Sequence, residues 1–184
     1  MRNQTTPKNP LLMMAKILLL VLIGLVSHTL LLAQAATTQA KAIDVKATYR
    51  LSNDYTGPNK FLTVSENDID LNMVDATRSP KQLWKFVPES DGKFRIVSMS
   101  DDEMYLDVSK RSDVYAVVMA ETSDLSEETW SLVTQKDGKL RFLNSSAGND
   151  KSLDVHKNGD VYSVVVGDSG DYSGQAWTLT KVTQ

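Results

Sequence analysis

The side chains able to do chemistry in this 184-residue chain are almost all carboxylates: 23 Asp and Glu, against two His and no Cys. Without Cys there is no thiol nucleophile and no Cys-based zinc site. His28 lies in an apolar N-terminal run, which leaves His156 alone, and catalytic zinc usually takes several His ligands. A Ser-His-Asp arrangement could use only His156, and no Gly-x-Ser-x-Gly or similar nucleophile turn is present. Hydrolysis by a carboxylate pair remains open by composition, but nothing in the spacing marks such a pair. We therefore expect no enzyme, no metal and no cofactor. Two acids do stand in matching frames, Leu106-Asp107-Val108 and Leu153-Asp154-Val155, where alternation with Leu and Val turns both carboxylates away from the core.

The elements that position these acids recur three times. Trp84, Trp130 and Trp177 are 46 and 47 residues apart. Each has an apolar residue two positions on (Phe86, Leu132, Leu179) with a polar one between, the period-two alternation of a half-buried strand. Upstream of each Trp stands an apolar-x-Val triplet, Leu62-Thr63-Val64 in the first unit and the two Asp triplets in the others. The Leu-to-Trp distance is 22 residues in the first unit and 24 in the second and third. Thirteen residues before each Trp come Leu71, Val117 and Val164. Tyr49-Arg50-Leu51, Phe94-Arg95-Ile96 and Leu140-Arg141-Phe142 open the units. Asp91-Gly92 and Asp137-Gly138 sit at the junctions, the strongest short-range hairpin signal. No helix is expected. Units that cannot bury a face alone must pack on one another. Three four-stranded units are too few for a propeller. The expected architecture is all-β: a β-trefoil, three pseudo-repeats of four strands forming a capped six-stranded barrel, which leaves no open sheet edge.

The N-terminus is read separately. Arg2, Lys8 and Lys16 precede an apolar run from Ile17 to Leu32, broken at Ser27-His28-Thr29 and followed by Ala33-Gln34-Ala35. A basic start, an apolar run and a small-residue site describe a secretory signal peptide, too short and broken for a membrane span of about 20 residues. We expect a signal peptide at 1–35, a tether at 36–46 and the trefoil at 47–184, with units near 47–90, 91–136 and 137–182. Cleavage would leave 17 basic and 23 acidic residues, a net charge of −6. That balance is wrong for nucleic acid, whose phosphates are held by clustered Lys and Arg. It also gives no reason to adhere to an anionic membrane. The expected product is an exported, cysteine-free monomer large enough to bury a core without disulfides.

The Leu-Asp-Val triplet, the following strand and the Gln-x-Trp close (Gln82-Leu83-Trp84, Gln175-Ala176-Trp177) together resemble the ricin-B-type β-trefoil lectins over roughly residues 47–182. The resemblance implies a sugar site in each unit. The Asp of the triplet accepts from two adjacent sugar hydroxyls, as a carboxylate with two oxygens can. An aromatic ring stacks on the sugar face, a polar group lies two residues before that ring, and an Asn-Gln pair lies just upstream of Trp. Asp107 and Asp154 match the acid, whereas the first unit has Thr63. The stacking positions hold Val74, Ala120 and Gly167, and the adjacent positions hold Asn72, Val118 and Val165. The pair upstream of Trp becomes Lys81-Gln82, Glu127-Glu128 and Gly174-Gln175. Tyr172 on the flanking loop, and Tyr115 and Tyr162 eight residues after their Asp, are the aromatic substitutes. The implied carbohydrate site is thus Asp154, Tyr162, Tyr172 and Gln175, with Asp107 and Tyr115 forming a second, and His156 on the rim. The alternative is a trefoil that binds protein partners and has lost sugar recognition, since fold does not fix function.

Overall fold

The computed structural model describes residues 43–183 except 102, 112–113, 122–124, 136, 145 and 149. The expected signal peptide, and the tether up to residue 42, lie outside the described residues. Among the described residues there are twelve strands, four to a unit. The first unit holds β1 (Tyr49–Asn53), β2 (Gly57–Val64), β3 (Leu71–Asp75) and β4 (Trp84–Pro88). The second holds β5 (Lys93–Ser98), β6 (Met104–Arg111), β7 (Val114–Glu121) and β8 (Thr129–Thr134). The third holds β9 (Leu140–Asn144), β10 (Lys151–Asn158), β11 (Val161–Asp168) and β12 (Trp177–Lys181).

The first and last strands of each unit close a six-membered ring. β1 pairs with β4, β4 with β5, β5 with β8, β8 with β9, β9 with β12, and β12 with β1, all antiparallel. The middle strands form three hairpins, β2–β3, β6–β7 and β10–β11. These meet over one end of the ring: Ser163 of β11 pairs with Asn72 of β3, and Val165 of β11 with Ala116 of β7. Met119 N–H donates to the Ile69 carbonyl at 2.8 Å to join the other two. This is the β-trefoil, a six-stranded barrel with a three-hairpin cap.

The alternation read from the sequence explains the core. Leu51, Ile96 and Phe142 are fully buried from the opening strands, as are Leu62, Leu106 and Leu153 from the hairpins. Phe86 lies edge-on to Tyr49 and Phe94, with centroids 5.6 and 6.0 Å apart, a favoured aromatic arrangement. At the first junction Asp91 (φ 58°) and Gly92 (φ 72°) both take left-handed backbone, as a two-residue turn matching strand twist requires. Where no helix was expected there are single turns, α1 (Leu125–Glu128) and 3₁₀ turns at Pro80–Gln82 and Ser173–Gln175. Each ends two residues before a Trp and turns the Gln or Glu side chain inward. One turn carries too few residues to show a helical period.

Residues 43–48 pack against the barrel: Ile43 and Ala47 are buried, and the Tyr49 hydroxyl donates to the Asp44 carbonyl at 3.2 Å. The Asp44 carboxylate meets the Lys181 ammonium at 2.7 Å, tying the start of the domain to its last strand. That contact, helped by the Lys46 N–H, holds the Asp44 carboxyl below its ordinary value of 3.8. A lowered folded-state value gives stability that is present above pH 3.8 and lost as pH falls through the lower value. Asp44→Asn should therefore melt below the parent at pH 7, with the gap closing below about pH 4. A Tm series from pH 2 to 7 reads this; a gap independent of pH would assign the contact no ionic role.

Candidate functional site

Asp154 sits on β10 between two core residues, Leu153 and Val155. Its side chain does not stand out in solvent as alternation implies. It is 8% exposed, roofed by the turn that runs from Tyr172 to Ala176. The Val155 N–H donates to Oδ1 at 2.7 Å. Gln175 Nε2 donates to Oδ2 at 3.0 Å, and His156 Nε2 lies 3.3 Å from the same oxygen. A carboxylate has about four lone-pair directions, so acceptor capacity remains for a ligand.

Access to that carboxylate depends on two glycines. A Cβ on Gly174 would lie 2.0 Å from Asp154 Oδ1, and one on Gly167 would lie 2.9 Å from Oδ2. Any other residue at 174 would displace the acid. The result is a cleft of about 540 Å³, in the range of small-ligand sites, lined by Asp154, His156 and Lys157, by Asp168, and by Tyr55 and Tyr172. Tyr172 is 60% exposed, yet its ring is seated: a Cβ on Gly170 would fall 2.3 Å from it. One edge of the ring thus rests on bare backbone while the rest faces the cleft. Asp168 is paired with Lys151, and the carboxylate raises that ammonium above its ordinary 10.5.

Gln175 is a correction to the sequence reading. It is fully buried, and both ends of its amide are used within the protein: Nε2 on Asp154 and on the Asp168 carbonyl at 2.7 Å, Oε1 on the Gly170 N–H at 3.0 Å. It orients the acid and cannot also meet a ligand. The first unit repeats the device. Gln82 Nε2 donates to Thr63 Oγ1 at 3.1 Å and to the Asp75 carbonyl at 2.9 Å, and Oε1 accepts from the Thr77 N–H at 2.8 Å. Thr63 thus occupies the place of the acid.

Tyr162 is the second correction. It is half-buried, packs on the core and does not line the cleft. Its ring meets Tyr55 edge-on at 6.0 Å, with the Lys60 and Lys157 ammoniums 5.9 and 5.8 Å from its centroid. It supports the wall rather than forming it. In the second unit Asp107 is 4% exposed, with the Val108 N–H on Oδ1 at 2.6 Å. Tyr115 is packed on the core and opens onto a different cleft, at the centre of the cap, with Asn72 and Ser163.

Tyr55 escaped the sequence reading. It lies on the loop after β1, in the first unit, and reaches the third unit's site because consecutive units interlock. Asn53 Nδ2 donates to the Gly174 carbonyl at 2.6 Å, and the Tyr55 N–H to the Ser173 carbonyl at 3.2 Å. The third unit docks on the second in the same way, with Asn144 Nδ2 on the Glu127 carbonyl at 2.6 Å. The matching Asn residues were the available signal. Two positions on, the other units have Ser100 and Ser146, so the aromatic wall is particular to the Asp154 site.

Residues 80–166 match the family model described as ricin-type beta-trefoil lectin domain-like. The chain carries a β-trefoil domain that over those residues is similar to the ricin-type lectins. A search of curated proteins finds no relative. Among solved structures the trefoil domain is similar to the designed threefold-symmetric protein ThreeFoil, at 24% identity and a TM-score of 0.65, over 73% of this chain and 99% of that one. It is similar to the Macrolepiota procera ricin B-like lectin in complex with lactose, at 17% identity and a TM-score of 0.62, over 74% and 96% of the two chains. It is also similar to an endo-β-galactosidase from Clostridium perfringens that releases GlcNAcα1-4Gal, at 22% identity and a TM-score of 0.63. There the match takes 74% of this chain and 33% of that one, so this chain spans a third of that enzyme. At these identities the likeness concerns the trefoil fold.

Proposed function

We propose that the protein is an exported, non-catalytic carbohydrate-binding module whose working site is the Asp154 cleft. The observation that carries this is the arrangement of the acid itself. The carboxylate is held by Gln175 and the Val155 N–H, kept reachable by glycine at 174 and 167, and walled by Tyr55 and Tyr172. A carboxylate can accept from two vicinal hydroxyls, and an aromatic ring covers the apolar face of a pyranose. The aromatic wall that Gly167 cannot supply is taken over by residues on two neighbouring loops. The Macrolepiota lectin, a trefoil of the same kind, was solved with lactose, which supports the same ligand class here. Ricin-type lectins are typically non-catalytic, and the Asp154 carboxylate is held by Val155 and Gln175 as a hydrogen-bond acceptor with capacity left for a ligand.

One charged hydrogen bond of about 1.5–3 kcal/mol and one stacking contact of about 0.5–1.5 kcal/mol give roughly millimolar affinity. Useful retention on a surface then requires several copies acting together. A glycan array probed with multimerised protein tests the reading. Tyr172→Ala should lower retention on the best glycans about two- to tenfold while the melting temperature holds, because the ring is exposed. Folded protein that binds no glycan would favour the protein-partner reading, which Thr63 and the missing aromatic at Val74, Ala120 and Gly167 would suit.

A further inference from the structure

The lysines around the Asp154 cleft differ in one respect. Lys151 is paired with Asp168, and Lys60 with Asp75 at 2.8 Å. Lys157 lines the cleft and has no acid partner among the described residues; its ammonium stands 5.8 Å from the centroid of the Tyr162 ring. His156 lies beside it in sequence, 63% exposed, on the same wall. Of the two acids in the cleft, Asp168 is neutralised by Lys151, and Asp154 is turned inward onto Gln175 and has His156 Nε2 at 3.3 Å. The cleft therefore has a carboxylate floor for hydroxyls and, on one side, the Lys157 ammonium, which no carboxylate among the described residues meets. Tyr162 fixes that side, because the same ring holds Lys157 and the edge of Tyr55.

From this the geometry points to an acidic saccharide as the ligand. A hexuronide would place its vicinal hydroxyls on Asp154, a pyranose face on Tyr55 or Tyr172, and its carboxylate on Lys157. The inference rests on the carbohydrate reading above and narrows it. A neutral hexose would leave Lys157 without a role, whereas an exposed ion pair adds a modest preference.

The test compares two probes that differ only at C6, methyl galactopyranoside and methyl galactopyranosiduronate, titrated into isotope-labelled protein and followed by amide NMR shifts. The uronide is expected to bind about three- to fivefold more tightly at low salt, as for one exposed ion pair. The preference should vanish in Lys157→Gln, the uronide then binding no more tightly than the neutral glycoside. It should also shrink as salt rises. Equal or weaker binding of the uronide would overturn the inference and leave the carbohydrate reading standing. A preference that survives in a Lys157→Gln, His156→Gln double variant would overturn the assignment to this wall. If neither probe shifts the resonances of the Asp154 cleft, the carbohydrate reading fails and the inference fails with it.

Discussion

Asp154→Thr is expected to lose at least tenfold in glycan binding while leaving the melting temperature nearly where it was. The protein contains its own control for this substitution. In the first unit Thr63 stands where Asp154 stands in the third, and its Oγ1 accepts the Gln82 amide at 3.1 Å while donating to the Phe61 carbonyl at 2.8 Å. A Thr at 154 can do the same for Gln175, so no buried amide loses its partner. A β-branched residue also suits a strand. What disappears is the charge and the second oxygen. Losing one charged hydrogen bond of about 1.5–3 kcal/mol corresponds to roughly ten- to hundredfold in affinity. Asp154→Ala makes the less clean comparison, because it strips Gln175 Nε2 of one acceptor and adds a structural cost of about 1–3 kcal/mol. Array binding and thermal melts on the two variants separate the effects. Binding by Asp154→Thr within twofold of the parent would remove the acid from the site.

Thr63 also shows what the sequence could and could not reveal. The units were legible because the barrel imposes them: Trp, the Leu two turns of chain earlier and the alternation around both must recur wherever the threefold packing recurs. The equivalence of Thr63 and Asp154 was therefore readable as a position. Its meaning was not, because alternation reports which face a side chain starts from and not what later covers it. Asp154 leaves β10 on the outer face and is then roofed by a turn twenty residues on. Tyr162 and Tyr115 were read by their distance from the acid along one hairpin. In the fold that distance carries Tyr162 to a position behind Tyr55, and Tyr115 to the centre of the cap. Tyr55 was hidden for the opposite reason. It belongs to the next unit around the ring, and the hydrogen bond that docks its loop joins Asn53 to Gly174, 121 residues apart. Within-unit spacing cannot report a site assembled between units.

The largest stability effects should come from the three tryptophans. Each is fully buried, and each donates its indole N–H to the carbonyl of the Leu that precedes Thr63, Asp107 or Asp154: Trp84 to Leu62 at 3.0 Å, Trp130 to Leu106 at 2.8 Å, Trp177 to Leu153 at 3.0 Å. Each indole thus fills the core and pins a cap hairpin to the barrel strand that closes its unit. Trp→Ala at any of the three is expected to cost about 3–5 kcal/mol, a large part of the roughly 5–15 kcal/mol that holds a domain of this size together. Trp→Phe keeps much of the buried area but leaves a buried carbonyl without its donor, at about 1–3 kcal/mol. Urea unfolding followed by circular dichroism should show these losses as lower midpoints with little change in slope. The equivalent contacts predict losses of the same order at all three positions. A Trp→Ala variant losing less than about 1 kcal/mol would show that its indole is not part of the core, since buried large-to-small changes cost well above that. The same variants separate packing from recognition. Trp177→Phe, assayed where it remains folded, should bind glycan better than Asp154→Thr does, because the indole touches Leu153 and not the cleft.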